Sequence, residues 1–245
     1  MHIWLLPLPA ERETPHCFPA AYQLLPTVDC IRASRLPRSA DRNRFTLAHA
    51  LCRAMLAHFG NRPAPDWILT AGPKGRPQIA PEQTPQNLDF NLSHTQNLVG
   101  CALGIGERVG LDLERTDRAI NMAKVAARKF AESERDQLAA VEGTARRTQF
   151  FALWTLKEAH AKLTGSGLTK MRETAFDLSG DHPKCRLRHQ SNPDDQHPPH
   201  RQLGLFRPTP DHQAAWALAT ANPTRSTPQI RTWTLAEFAR HLQAT

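Results

Sequence analysis

The chain has 245 residues, 40% of them hydrophobic, and a formal net charge of +8; it is long enough to bury one large core or two small ones, and its positive balance favours phosphates, nucleic acid or an acidic protein as partners. Its five cysteines, Cys17, Cys30, Cys52, Cys101 and Cys185, are odd in number, scattered and without a CxxC pair, which argues against a disulfide scaffold or a zinc site and for reduced thiols. No stretch approaches the ~20 apolar residues of a membrane span, and MHIWLLPLP lacks the basic region of a signal peptide, so a cytoplasmic protein without membrane association is expected.

His2 to Leu8 reads as a first strand, followed by Pro-punctuated sequence to about Pro37. Arg32, Arg35, Arg38, Arg42 and Arg44 crowd the approach to a helix predicted over Asp41 to Phe59, whose apolar residues Phe45, Leu47, Leu51, Met55 and Phe59 recur at three- and four-residue steps. Arg44 lies near its start, where helical N–H groups also favour anions; an arginine run on a solvated face is the bland reading. Trp67 to Thr70 looks like a strand, and AGPKGRPQIAP is a turn-rich loop carrying Lys74 and Arg76. Phe90 to Ser93, Leu98 to Leu103 and Val109 to Glu114 read as strands. In VGLDLE the alternation sends Val109, Leu111 and Leu113 to one face and Gly110, Asp112 and Glu114 to the other, so two carboxylates project together, roughly 7 Å apart.

Helices are predicted from Asn121 to Phe130 and from Glu134 to Val141, with Ser133 a candidate N-cap. Then comes FFALWTLKEAHAKLTGSGL, Phe150 to Leu168, a helix with apolar residues around most of its circumference and Gly165 as its C-terminal stop. Lys157, Glu158 and Lys162 sit among Phe150, Phe151, Leu153 and Trp154. One reading is an i,i+4 ion pair on a solvated face; the other is a set of partly buried functional charges, which need partners elsewhere in the chain. Strands are expected around Thr174 to Leu178, Cys185 to Arg188, Trp216 to Thr220 and Ile230 to Trp233, with a short helix at Leu235 to Leu242. The Pro- and His-rich segment from His189 to Gln213 lacks a period and reads as a long loop without zinc-site spacing. Helix followed by strands occurs twice, with the change near Ile105 to Glu107, which predicts two similar α+β halves.

Asp112 and Glu114 repel one another if they share a site, and recruiting a cation relieves that repulsion. With Glu158 they make three hard oxygen donors of the kind that suits Mg²⁺ beside a phosphate; alternating acids on an edge strand are the structural alternative. In FNLSHT, Ser93 and His94 are neighbours on a strand and point to opposite faces, and no G-x-S-x-G elbow is present, so a serine-hydrolase triad is disfavoured. GPKGRP lacks the P-loop spacing, and no G-x-G-x-x-G follows a strand.

GRPQIAP, FNLSHT, VGLDLE, KFAESE and WTLKEAHAKLTGSGL, in this order, resemble the signature blocks of 4'-phosphopantetheinyl transferases of the surfactin-synthetase-activating (Sfp) type. The paired patterns (I/V)-G-(I/V)-D and W-(S/T)-x-K-E-(A/S)-x-x-K carry the resemblance, with Leu111 standing for a branched residue in the first. It runs from about Arg44 to Leu178 and extends to AAWALAT and IRTWTLAEF in the tail. The resemblance implies two pseudo-symmetric α+β halves, here 1–106 and 107–245, each with a small, mainly antiparallel sheet packed on helices, and coenzyme A in the cleft between them. It implies Mg²⁺ held by Asp112, Glu114 and Glu158. Arg44, Arg76, Ser93, His94, Lys157 and Lys162 would contact coenzyme A phosphates, with Arg76 where the family often has Lys. Glu158 and Lys162 are then the candidate catalytic residues. The implied reaction moves 4'-phosphopantetheine from coenzyme A to a serine of an acidic acyl or peptidyl carrier protein and releases 3',5'-ADP; a monomer that binds no nucleic acid is expected. The rival readings are a Mg²⁺-dependent phosphohydrolase acting on nucleotide-like pyrophosphates and a basic nucleic-acid-binding protein. The second lacks any RRM or zinc-finger pattern and any basic stripe interleaved with aromatics.

Overall fold

β1 (His2–Pro7) buries Ile3, Trp4, Leu5 and Leu6 without alternation, the pattern of a strand covered on both faces. In the computed structural model, which describes residues 1–9, 18–72, 75–83, 87–180, 183–187, 200–221, 224 and 227–243, β1 is an inner strand of a four-stranded sheet. Its antiparallel neighbour is β5 (Leu98–Ile105), which pairs antiparallel with β4 (Leu88–Thr95); on the other side β11 (Gln229–Thr232) runs parallel to β1. The long helix α3 (Ser39–Gly60) packs on β4 and β5 through Leu47, Leu51 and Met55, the three- and four-residue stripe of the sequence. The shorter α1 (Phe18–Gln23) and α2 (Thr27–Ser34) cover α3, and the pair β2 (Leu69–Ala71) and β3 (Pro77–Ile79) lies along β4.

The second sheet has the order β6-β10-β9, all antiparallel, from β6 (Arg108–Arg115), β9 (His200–Phe206) and β10 (His212–Thr220). Every residue of β10 is buried. α4 (Met122–Lys129) and α5 (Glu132–Ala139) precede α6 (Gly143–Thr164), which packs on β6 and β10. β7 (Thr174–Asp177) and β8 (Lys184–Leu187) form a separate antiparallel pair.

The chain divides into two compact units, Met1–Gly106 with Thr227–Thr245, and Glu107–Ser226. Each is an α+β unit in which a 22-residue helix lies against antiparallel strands and ends at a left-handed residue, Asn61 after α3 and Gly165 after α6. Each also has its own apolar core.

Three expectations change. The tail, placed with residues 107–245 from the sequence, belongs to the first unit, because β11 pairs with β1 and the helix α7 (Leu235–Gln243) adds Phe238 and Leu242 to the first core, with Trp233 edge-on to Trp4 at 5.0 Å between ring centroids. The expected loop at 189–213 contains β9 and the start of β10; 189–199 lie outside the described residues. α6 starts a full two turns before Phe150, and α5 begins at Glu132, leaving Ser133 inside the helix rather than at its cap. Among the described residues no helix is long and apolar enough to cross a membrane.

Candidate active site

The polar face of VGLDLE turns toward α6. Gly110, Asp112 and Glu114 stand opposite Ala217, Ala215 and Gln213 of β10, and residues directly opposite in an antiparallel pair share a face. Small side chains here let the helix come close: a Cβ on Gly110 would lie 2.1 Å from the Ala159 carbonyl oxygen and 2.9 Å from the Leu163 nitrogen, both backbone atoms of α6. Only glycine fits that approach.

Across this contact Lys162 donates from Nζ to Asp112 Oδ1 at 2.7 Å and to the Leu111 carbonyl at 3.0 Å. Glu114 Oε1 accepts from Trp154 Nε1 at 2.6 Å and from Arg118 at 3.1 Å. Arg118 is placed in turn by Arg147 of α6, which donates to the carbonyls of Thr116 and Arg118, and both guanidinium groups flank the ring of Phe151 at 5.8 and 5.2 Å. Glu158 joins the group electrostatically. Burial pushes its carboxyl up to about 7, with the charges of Asp112 and Glu114 adding to the rise and Lys162 and Lys129 opposing it. Burial and Asp112 likewise raise the Glu114 carboxyl, against the pull of Trp154, Arg118 and Lys162. Three coupled carboxylates thus repel one another beside Lys162, Arg118 and Lys129, a repulsion that a further cation would relieve.

Among the described residues no three His, Cys, Asp or Glu side chains form a ready-made metal cage. The donor chemistry of Asp112, Glu114 and Glu158, oxygen only and mutually repelling, nevertheless fits a hard divalent ion. Lys162 is the cation paired with Asp112.

Lys157 departs from the expectation that it contacts phosphate. Both partners of its ion pair with Glu134 have fully buried side chains; Nζ donates to Glu134 Oε2 at 2.7 Å and to the Thr174 carbonyl at 2.6 Å, between the rings of Phe130 and Phe176. The physical reason is helical geometry: neighbouring residues diverge by about 100°, so with Glu158 directed at β6, Lys157 is turned toward α5 and β7. Glu134, the last residue of KFAESE, also accepts from the Ala131 and Phe176 nitrogens at 2.7 and 3.0 Å. A helix started at Glu134 with Ser133 as its cap, as expected from the sequence, misses that contact; the signal that could have found it is a Glu three residues after the N-cap, here Ala131. For Trp154, Arg118 and Arg147 as supports of Glu114, the sequence offers no such pattern.

The remaining candidates lie in the first unit. Arg44, in the second turn of α3, is paired with Asp41. Arg76 donates to Asp89 Oδ2 at 2.7 Å and to the Phe90 carbonyl at 2.9 Å, which ties it to β4. On the same strand Ser93 is buried and His94 exposed, as alternation requires. Lys74 falls outside the described residues.

The stretch that builds this site, residues 108–221, matches the model of the 4'-phosphopantetheinyl transferase superfamily. That stretch is just under half of the chain, which is similar over it to members of that superfamily. Among curated relatives, the 4'-phosphopantetheinyl transferase HetI of Nostoc sp. is 28% identical over 183 residues, 75% of this chain and 76% of that protein. A putative 4'-phosphopantetheinyl transferase of Synechocystis sp. is 31% identical, covering 68% of this chain and 65% of its own length. Sfp of Bacillus subtilis is 28% identical over 56% of this chain, a match that spans 59% of the relative. Among solved structures, the holo-[acyl-carrier-protein] synthase of Thermotoga maritima aligns with 46% of this chain and 62% of its own at 24% identity, with a TM-score of 0.38. The matched region begins with β6 and closes just after β10, so it contains both strands on which α6 packs.

Proposed function

We propose that this protein transfers the 4'-phosphopantetheine arm of coenzyme A to a serine of an acyl or peptidyl carrier protein, as a transferase of the Sfp type, converting the apo carrier to the holo form. The observation that carries the reading is the meeting of Asp112, Glu114, Glu158 and Lys162 where β6 packs on α6. In the reaction the serine Oγ–H bond breaks and Oγ bonds to the phosphorus that bears pantetheine. The bond from that phosphorus to the bridging pyrophosphate oxygen breaks, and its electron pair leaves on 3',5'-ADP. Glu158, coupled to Asp112 and Lys162, receives the serine proton directly or through a water. Lys162 offsets charge that builds on the pyrophosphate oxygens. Bound by Asp112, Glu114 and Glu158, Mg²⁺ would supply further positive charge beside the pyrophosphate. Arg44, Arg76, Ser93 and His94 are the proposed first-unit contacts for coenzyme A phosphates; Lys157 leaves that set, because its ammonium is spent on Glu134.

The test is incubation with coenzyme A, Mg²⁺ and an apo carrier protein, followed by the intact mass of the carrier. A gain of one phosphopantetheine with release of 3',5'-ADP is expected. Breakdown of coenzyme A with an unmodified carrier would instead identify a phosphohydrolase, and salt-sensitive retention of DNA or RNA without either change would identify a nucleic-acid-binding protein. Asp112→Asn and Glu158→Gln are expected to lower transfer by about 10² to 10⁴ with the fold retained by circular dichroism; near-normal rates in both would remove these carboxylates from the mechanism.

A further inference from the structure

The contact between α6 and the sheet is close. Gly110 has no side chain, and Ala215, Ala217 and Ala219 of β10 meet the helix with methyl groups. Such a surface allows close approach, and across it Lys162 bonds Asp112 and Trp154 bonds Glu114. Glu158 and Lys162 have to face Asp112, and a helix rotated by one residue, about 100°, would carry them away.

A second restraint on this turn lies on the other side of α6. Lys157, one residue before Glu158, inserts its ammonium between Phe130 and Phe176 and holds Glu134 and the Thr174 carbonyl. Glu134 in turn grips the start of α5 through the Ala131 nitrogen and β7 through the Phe176 nitrogen. Every bond in this set is directional, and together they tie two elements, α5 and β7, to a single turn of α6. A methionine and a glutamine would fill the same volume, and a buried ion pair often contributes little net stability compared with apolar groups of its size. What the charged pair adds is a directional restraint on the helix orientation, on the side of α6 away from Asp112 and Glu114.

We propose that Lys157 and Glu134 are positioning residues that set the rotation and axial register of α6, and so the placement of Glu158 and Lys162 against Asp112. The proposal rests on the transferase reading for its kinetic consequences but not for its structural one. The test is the double variant Lys157→Met with Glu134→Gln in the full chain, with two readouts. In the transfer assay, kcat is expected to fall by about 10²-fold, as for misplacement of the reacting groups, while the KM for coenzyme A and the thermal midpoint stay near those of the unaltered protein. In spectra of protein labelled with ¹⁵N-tryptophan, the indole N–H resonance of Trp154, assigned with Trp154→Phe, is expected to move, while those of Trp4, Trp67 and Trp233 in the first unit stay in place. An unaltered kcat with an unmoved Trp154 resonance would overturn the proposal. So would failure of the double variant to fold, since the pair would then hold up the fold rather than select a register. If the unaltered protein transfers nothing, the functional reading fails, and the indole resonance alone decides the positioning proposal.

Discussion

Trp154 is an apolar neighbour in the helical pattern and a hydrogen-bond donor in the structure, its indole N–H lying 2.6 Å from Glu114 Oε1. A bond to a charged acceptor contributes about 1.5–3 kcal/mol, and this one competes with burial and Asp112 for the state of the Glu114 carboxyl. Trp154→Phe keeps the ring and deletes the donor. It is expected to reduce transfer roughly tenfold or more, with an unchanged far-ultraviolet dichroism spectrum; steady-state kinetics checks the first and dichroism the second. Lys157 teaches the complementary lesson. Two lysines on one helix, Lys157 and Lys162, look equivalent in the sequence, yet one is buried with Glu134 and the other is partly exposed beside Asp112.

The decisive contact between elements is that of β6 with α6, made possible by Gly110. Gly110→Ala puts a methyl carbon against backbone that cannot swing aside, and overpacking of this kind costs typically 1–3 kcal/mol, or more. A loss of about 3 kcal/mol in urea unfolding is expected, with transfer falling as α6 is pushed off the carboxylates. At the other end of the chain, α7 places His241 against Trp4, Trp233 and the ring of His58. Burial, His58 and Arg231 hold the His241 imidazole below its usual range, and burial, the N-terminal amine and His58 do the same for His2. A histidine with a lowered folded pKa leaves stability intact above its unfolded value of about 6.5 and removes it as pH falls below that point, since the unfolded chain takes up the proton first. The unfolding midpoint is therefore expected to drop between pH 7 and 5, and His241→Gln to flatten that drop; a pH series of thermal melts measures both.

For the whole molecule, the net charge of +8 bears on encounter rather than on chemistry. Were the proposed carrier acidic, attraction would speed association and be screened over a Debye length of about 8–10 Å at physiological salt. Raising NaCl from 50 to 500 mM is expected to lower kcat/KM for the carrier several-fold, with kcat at saturating carrier nearly unchanged. A flat salt profile would mean that apolar contacts, not charge, bring the carrier in.

Much of this protein follows from local pattern. Alternation in VGLDLE is enough to put Asp112 and Glu114 on one face, because strand side chains repeat every two residues. Likewise the glycine at Gly165 ends α6 because it accepts the left-handed conformation, φ 66°. Long-range pairing escapes such rules. That β11 runs beside β1 from the opposite end of the chain, and moves the tail from the expected second half into the first unit, depends on which apolar surfaces find one another. The Lys157–Glu134 pair is a case of the same kind: the helical period says that Lys157 and Glu158 diverge, but only the packed neighbours, Phe130, Phe176 and Glu134, decide which of the two is enclosed. A buried charge needs a partner, and the sequence states the need without saying where the partner stands.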